Sequence, residues 1–142
     1  MRLQRTVTTE KPLAAVFAYL SDFTTTTEWD PGTVRTVRVS GDGGVGTEYH
    51  NTSKFAGRET ELTYVVQALV PDRRIVLEGT NATVTARDQM EFTAHGPGTE
   101  VVYTVDFTFK GLVRYVAPLL KPALARLGSD AQKGMREALE RL

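Results

Sequence analysis

Cysteine is absent from the sequence, which excludes disulfides, thiolate chemistry and cysteine-ligated metals. Surplus charge is absent too. The 17 basic residues balance 17 acidic ones, so the chain lacks the positive field on which nucleic-acid binding depends, and no nucleic-acid partner is expected. No run approaches the roughly 18 uncharged apolar residues of a membrane-spanning helix. The first ten residues alternate and hold no apolar secretion signal, so a cytoplasmic location is expected. Histidine is limited to His50 and His95, without the spacings of a metal site, and neither a metal nor a cofactor is expected. No G-x-S-x-G elbow supports a hydrolase triad. Residues 41–46 spell the G-x-G-x-x-G dinucleotide pattern. A strand follows them where a helix N-terminus would have to hold the pyrophosphate, so the segment reads as a turn.

What is present is an ordinary globular composition, 41% hydrophobic and 24% charged, in a chain long enough to bury a core without staples. With no repeat, low-complexity tract or linker, residues 1–142 read as one domain. Residues 3–8 alternate and predict a strand. Pro12 opens a helix carrying Leu13, Val16, Phe17 and Leu20 at helical spacing. A second short helix is expected to end at Trp29, before Asp30-Pro31-Gly32. From Thr33 the period changes to two. Six consecutive strands, near 33–40, 47–55, 58–70, 73–78, 83–94 and 100–110, are joined by short Gly- and Pro-containing turns and predict an antiparallel meander. Leu120, Leu124, Leu127, Ala131, Met135, Ala138 and Leu142 then recur in steps of three or four, one apolar helical stripe. Pro118 and Pro122 make residues 112–117 a separate turn or a kinked entry. Gly128 and Gly134 each weaken the helix by about 1 kcal/mol relative to alanine, so the stripe needs a sheet face to pack on. The class is α+β: a curved seven-stranded antiparallel sheet, two short helices, and a long C-terminal helix that encloses a cavity against the sheet.

The order of these segments resembles a known family. Residues 12–22 (Pro-Leu-Ala-Ala-Val-Phe-Ala-Tyr-Leu-Ser-Asp) are similar to the first helix of the polyketide cyclase/dehydrase and lipid-transport branch of the START-like superfamily. Trp29-Asp30-Pro31, Gly46-Thr47, Pro71-Asp72-Arg73, Gly98-Thr99-Glu100-Val101 and Ala117-Pro118-Leu119-Leu120-Lys121-Pro122 match its landmarks in order. The resemblance covers nearly the whole chain. It implies a helix-grip fold and a ligand cavity, in a family that holds aromatase/cyclases, lipid and quinone carriers, hormone receptors and co-chaperone modules. Its shared motifs are structural, so they carry over no catalytic set.

Candidate site residues follow from strand parity. Val84, Ala86, Asp88, Met90, Phe92 and Ala94 share one face, and Asp88 is its only charge. A carboxylate on an apolar face is costly unless paired. Asp88 therefore reads either as a cavity acid with a raised pKa that binds or protonates a ligand, or as the product of a bulge or of pairing with Arg35 or Arg58. Tyr49, Asn51, Ser53 and Phe55 share another face, which two aromatics turn inward, so Asn51 and Ser53 line either the cavity or its wet mouth. Tyr64 and Tyr103 need hydroxyl partners if buried. The expected ligand-binding set is Tyr49, Asn51, Ser53, Tyr64, Asp88, Met90, Tyr103, Leu120 and Leu124. Asp88, Tyr49 and His50 are the acid–base candidates should the protein catalyse.

The expected partner is a hydrophobic small molecule, such as a lipid, polyketide, quinone or steroid-like compound. The rival readings are a cyclase or dehydratase using a cavity Asp and Tyr, and a co-chaperone-like interaction module, which would expose an apolar patch of several hundred Å². Residues 112–127 mix apolar side chains with Arg114, Lys121 and Arg126. They read as the element that closes the core, with at most transient membrane contact. A monomer or homodimer is expected.

Overall fold

The structure, a computed structural model, describes residues 1–142. Strand β1 (Arg2–Thr9) leads into helix α1 (Leu13–Ser21), a 3₁₀ turn (Phe23–Thr25) and helix α2 (Thr26–Trp29). Six strands follow: β2 (Thr33–Ser40), β3 (Glu48–Phe55), β4 (Arg58–Val70), β5 (Arg74–Thr80), β6 (Val84–His95) and β7 (Gly98–Phe109). The chain closes with α3 (Val113–Val116), a 3₁₀ turn (Ala117–Leu120) and α4 (Lys121–Glu140). All strand pairs are antiparallel and the order across the sheet is β1-β7-β6-β5-β4-β3-β2. The first strand therefore joins the last, and only β1 and β2 are edges.

The meander follows from alternation and turn chemistry. The two-residue connection Ala56-Gly57 has positive φ at both positions, 53° and 78°. That is the backbone whose twist suits a hairpin, natural for glycine and strained for alanine. The register shifts between Val66 and Ala68 on β4 and at two places along β2. Such bulges bend and twist the strands they interrupt.

The sheet grips α4 unequally along its length. The second half of α4 sends Ala131, Met135, Ala138 and Leu139 into a dry core with Val7, Val66, Ile75, Met90 and Val101. Phe17 of α1 meets Phe92 of β6 edge to face, their ring centroids 5.0 Å apart. The first half of α4 lies over the other end of the sheet, where a cavity opens.

Gly134 explains why a weak helix former is kept in α4. A Cβ there would overlap the carbonyl oxygen of Trp29, so only glycine lets α4 come this close to α2. The helical entry also differs from a simple kink. Leu112, Val116, Ala117 and Leu120 all have helical backbone angles, and the two prolines fall in first-turn positions where their missing N–H costs nothing. The apolar stripe ends one turn earlier than its spacing suggests: Leu139 is fully buried, whereas Leu142 lies beyond the helix and is exposed.

Candidate functional site

Between the open end of the sheet and the first half of α4 lies a cavity of about 230 Å³. Its walls come from β3 (Asn51, Ser53, Phe55), β4 (Leu62, Tyr64), β6 (Val84, Ala86, Asp88) and β7 (Tyr103, Val105, Phe107, Phe109), with Phe23, Thr26 and Asp30 at one side. Val113, Leu120, Leu124 and Leu127 roof it. An engineered apolar cavity of roughly 150 Å³ holds benzene, so this one has room for a compact bicyclic body.

Asp88 is the chemical centre of the wall. Strand β6 pairs with β5 and β7 without a register shift, so no bulge turns Asp88 outward. Only 3% of it is exposed, and no arginine pairs with it: Arg35 and Arg58 are both exposed, and the arginine that does form an ion pair is Arg2, with Asp106. The Tyr103 hydroxyl donates to Asp88 Oδ2 at 2.6 Å. Asp88 Oδ1 is the one buried side-chain nitrogen or oxygen without a hydrogen-bond partner. Burial pushes the carboxyl up to about 7; the Tyr103 bond pulls against this and the charge of Asp30 adds to it. Burial likewise holds the Tyr103 and Tyr64 hydroxyls well above the usual tyrosine range, with Asp88 and Asp30 reinforcing it. The edge of Trp29, itself buried, meets the Tyr103 ring at 5.6 Å between centroids and fixes its tilt.

The opposite wall is polar but satisfied. Asn51 Nδ2 donates to Thr36 Oγ1 at 2.8 Å, which shares a 2.6 Å bond with Thr26 Oγ1. Ser53 Oγ donates to Asn51 Oδ1 at 2.6 Å. Asp30 Oδ1 accepts from the Gly32 backbone N–H and Asp30 Oδ2 from the Thr33 hydroxyl, both at 3.0 Å. Burial raises the Asp30 pKa and these two bonds lower it in part.

Of the residues singled out from the sequence, Asn51, Ser53, Tyr64, Asp88, Tyr103, Leu120 and Leu124 line this cavity. Tyr49 and Met90 share the inward face but sit in the solid half of the core, Tyr49 beside Phe23 at 5.8 Å between ring centroids. His50 points to the other face, with its Nε2 at 3.4 Å from Glu61 Oε1, and has no access to the cavity. Asp30, Phe107 and Phe109 line the cavity without having been singled out. Phe107 and Phe109 were legible, since they continue the parity of Tyr103 along β7. Asp30 had no such signal, because its turn reads only as a helix stop.

The segment entering α4 is two-faced. Val113 and Leu120 face the cavity, but Leu112 and Leu119 are 84% and 80% exposed, and Tyr115 and Val116 are exposed beside them. The expectation that residues 112–127 serve as a closing core element holds for Leu124 but not for this outer face. No helix of the protein is long and apolar enough to cross a membrane.

The architecture is that of known proteins. It superposes on the Zhui aromatase/cyclase from Streptomyces sp. R1128 with a TM-score of 0.85 at 17% identity, over 99% of this chain and 94% of that one. A START superfamily protein from Mycobacterium smegmatis gives 0.82 at 14% identity, over 99% and 97% of the two chains. The di-domain aromatase/cyclase StfQ of the steffimycin biosynthetic pathway gives 0.74 at 15% identity, with 99% of this chain covering 51% of that one. At such identities the likeness establishes a START-like helix-grip fold. No curated protein matches the sequence. The profile of one family does match, and over all of residues 1–142: the chain belongs to the polyketide cyclase / dehydrase and lipid transport family.

Proposed function

We propose that the protein holds an apolar small molecule in the cavity between sheet and α4. The observation that carries this reading is that the first half of α4 roofs open space although its apolar stripe is intact. Cores are packed to near-crystalline density, so an apolar void of about 230 Å³ is retained against a cost in lost contacts. Among lipids, polyketides, quinones and steroid-like compounds, the volume suits a compact ring system or one end of a longer molecule. Leu120→Trp tests this, because a half-buried roof residue then fills the space beneath it. Binding of the neutral fluorescent probe N-phenyl-1-naphthylamine is expected to weaken about tenfold or more, with the melting temperature unchanged or raised. Equal binding by the filled variant would sink the reading.

A second reading is favoured by the Asp88–Tyr103 pair. A carboxyl group held near neutrality beside a tyrosine hydroxyl is what proton transfer to or from a bound polyketide-like substrate needs. A cyclase or dehydratase of this kind loses turnover in Asp88→Asn while keeping substrate affinity. A pure carrier has no turnover to lose. The aromatase/cyclases among the structural neighbours support this second reading.

Transient membrane contact belongs to the same proposal. Leu112, Tyr115, Val116 and Leu119 are exposed next to the cavity roof, with Arg114 stacked 4.8 Å over Tyr115 and Lys121 alongside. Apolar side chains among cations suit the surface of an anionic bilayer. The wild type is expected to float with phosphatidylserine-containing vesicles and the double variant Leu112→Asp/Leu119→Asp to stay behind. Equal flotation of both would remove the membrane from the account, and an interaction module that presents this patch to a protein would take its place.

A further inference from the structure

We infer that the cavity takes apolar molecules whose head group is a hydrogen-bond donor without negative charge, a protonated amine above all, and turns carboxylates away. This rests on the cavity reading above and names the ligand class within it.

The charged residues on the wall are Asp30, Asp88 and Lys54, and Lys54 is exposed at the rim. No arginine or histidine lines the cavity. Most neutral donors are already committed: Tyr103 to Asp88, Ser53 to Asn51, Thr33 to Asp30, and the Asn51 amide to Thr36; only the uncharged Tyr64 and Thr60 hydroxyls on the wall are left free. An incoming carboxylate would meet two acids and find no buried counter-charge, with only neutral hydroxyls left to bond it. Desolvating it there without compensation is strongly unfavourable.

A donor meets the reverse situation. Asp88 lines the cavity, is almost wholly buried and has one oxygen without a partner. A ligand N–H or O–H completes that set, and an ammonium also supplies the missing positive charge. The titratable groups facing Asp88 from neighbouring elements are Tyr103 of β7, Tyr64 of β4 and Asp30 after α2, and none of them is a cation. The proton held by the empty Asp88 near neutrality fits the same picture, since it stands in for the absent cation.

Three probes with one apolar body decide the matter: 1-naphthylmethylamine, 1-naphthalenemethanol and 1-naphthoate, titrated calorimetrically at pH 8. The amine is expected to bind about tenfold tighter than the alcohol, and the carboxylate to show no binding. In Asp88→Asn the amine is expected to fall to within about threefold of the alcohol, which loses less because it can still donate to the amide oxygen. A carboxylate that binds as well as the amine overturns the inference, as does an amine preference that survives in folded Asp88→Asn. If all three bind alike, the cavity reading stands and this inference fails. If none binds, both fail. Should Asp88→Asn not fold, the wild type at pH 5 serves instead. The amine's lead is expected to narrow there as Asp88 takes up its proton, and a lead unchanged between pH 5 and pH 8 overturns the inference.

Discussion

Raising the pH from 5 to 8 is expected to destabilise the wild-type protein by about 3 kcal/mol, and Asp88→Asn is expected to remove most of that loss. An unfolded aspartate ionises near 3.8, whereas Asp88 in the folded protein does so at about 7. Between these values the folded state keeps a proton that the unfolded state has released. Stability therefore falls as pH rises through this window, by about 1.4 kcal/mol per unit, and levels off above the folded value. Asp30, also raised by burial, acts in the same direction. Asp106, lowered by Arg2, acts in the opposite direction, but its contribution is lost only as pH falls towards the ordinary carboxylate range. Denaturant midpoints at the two pH values, with a constant slope, measure the effect. A fall of the same size in Asp88→Asn would assign the titration to another group. Above pH 7 the variant is expected to be more stable than the wild type. Replacing a buried, half-satisfied carboxylate by an amide removes a desolvated charge at the cost of unpaired N–H groups. A site that is costly to the empty protein is what a ligand-binding role predicts.

The second large effect is expected at Gly134. On helix propensity alone, Gly134→Ala should gain about 1 kcal/mol. The tertiary contact reverses the sign. The added methyl overlaps the Trp29 carbonyl, a backbone atom at the end of α2 that cannot swing aside as a side chain can. A net loss of about 2–4 kcal/mol is expected, lowering the melting temperature by on the order of 10 °C for a chain of this size. Gly128→Ala is the internal control. Its Cβ would meet Leu3 Cδ1 at 3.3 Å and the Arg5 guanidinium at 3.5 Å, both movable, so its stability should change by less than about 1 kcal/mol. If both variants are equally mild, the close approach of α4 to α2 is not what seats the helix. Trp29 also supports the Tyr103 ring, so Gly134→Ala should weaken ligand binding beyond its effect on stability.

Much of this protein was determined by the sequence alone. Alternation placed all seven strands, with β4 at residues 58–70 in both the pattern and the structure. The parity of β6 put Asp88 on the inward face, because side chains alternate strictly across an unbulged strand. The three-and-four spacing gave α4 its buried side. Parity and spacing, however, name a face and not a position along it. Tyr49 and Asn51 share a face, as do Met90 and Asp88, yet in each pair only the second lines the cavity. Where the sheet bends and where α4 stops touching it decides which is which.

Partners across strands were equally hidden. Tyr103 pairs in register with Met90, and Asp88 with Val105. The Tyr103–Asp88 bond is thus a diagonal one, fixed by pairing of residues far apart in sequence. Asp30 reads as a helix stop, and only the packing of α2 brings it to the cavity wall. The exposure of Leu112 and Leu119 was likewise settled in three dimensions, since a helical stripe shows which residues are apolar but not what covers them. Local chemistry set the elements and their inward faces. The bend of the sheet and the seating of α4 on it set the cavity, its unpartnered carboxylate oxygen and the apolar rim, because these depend on distances between segments that no local pattern encodes.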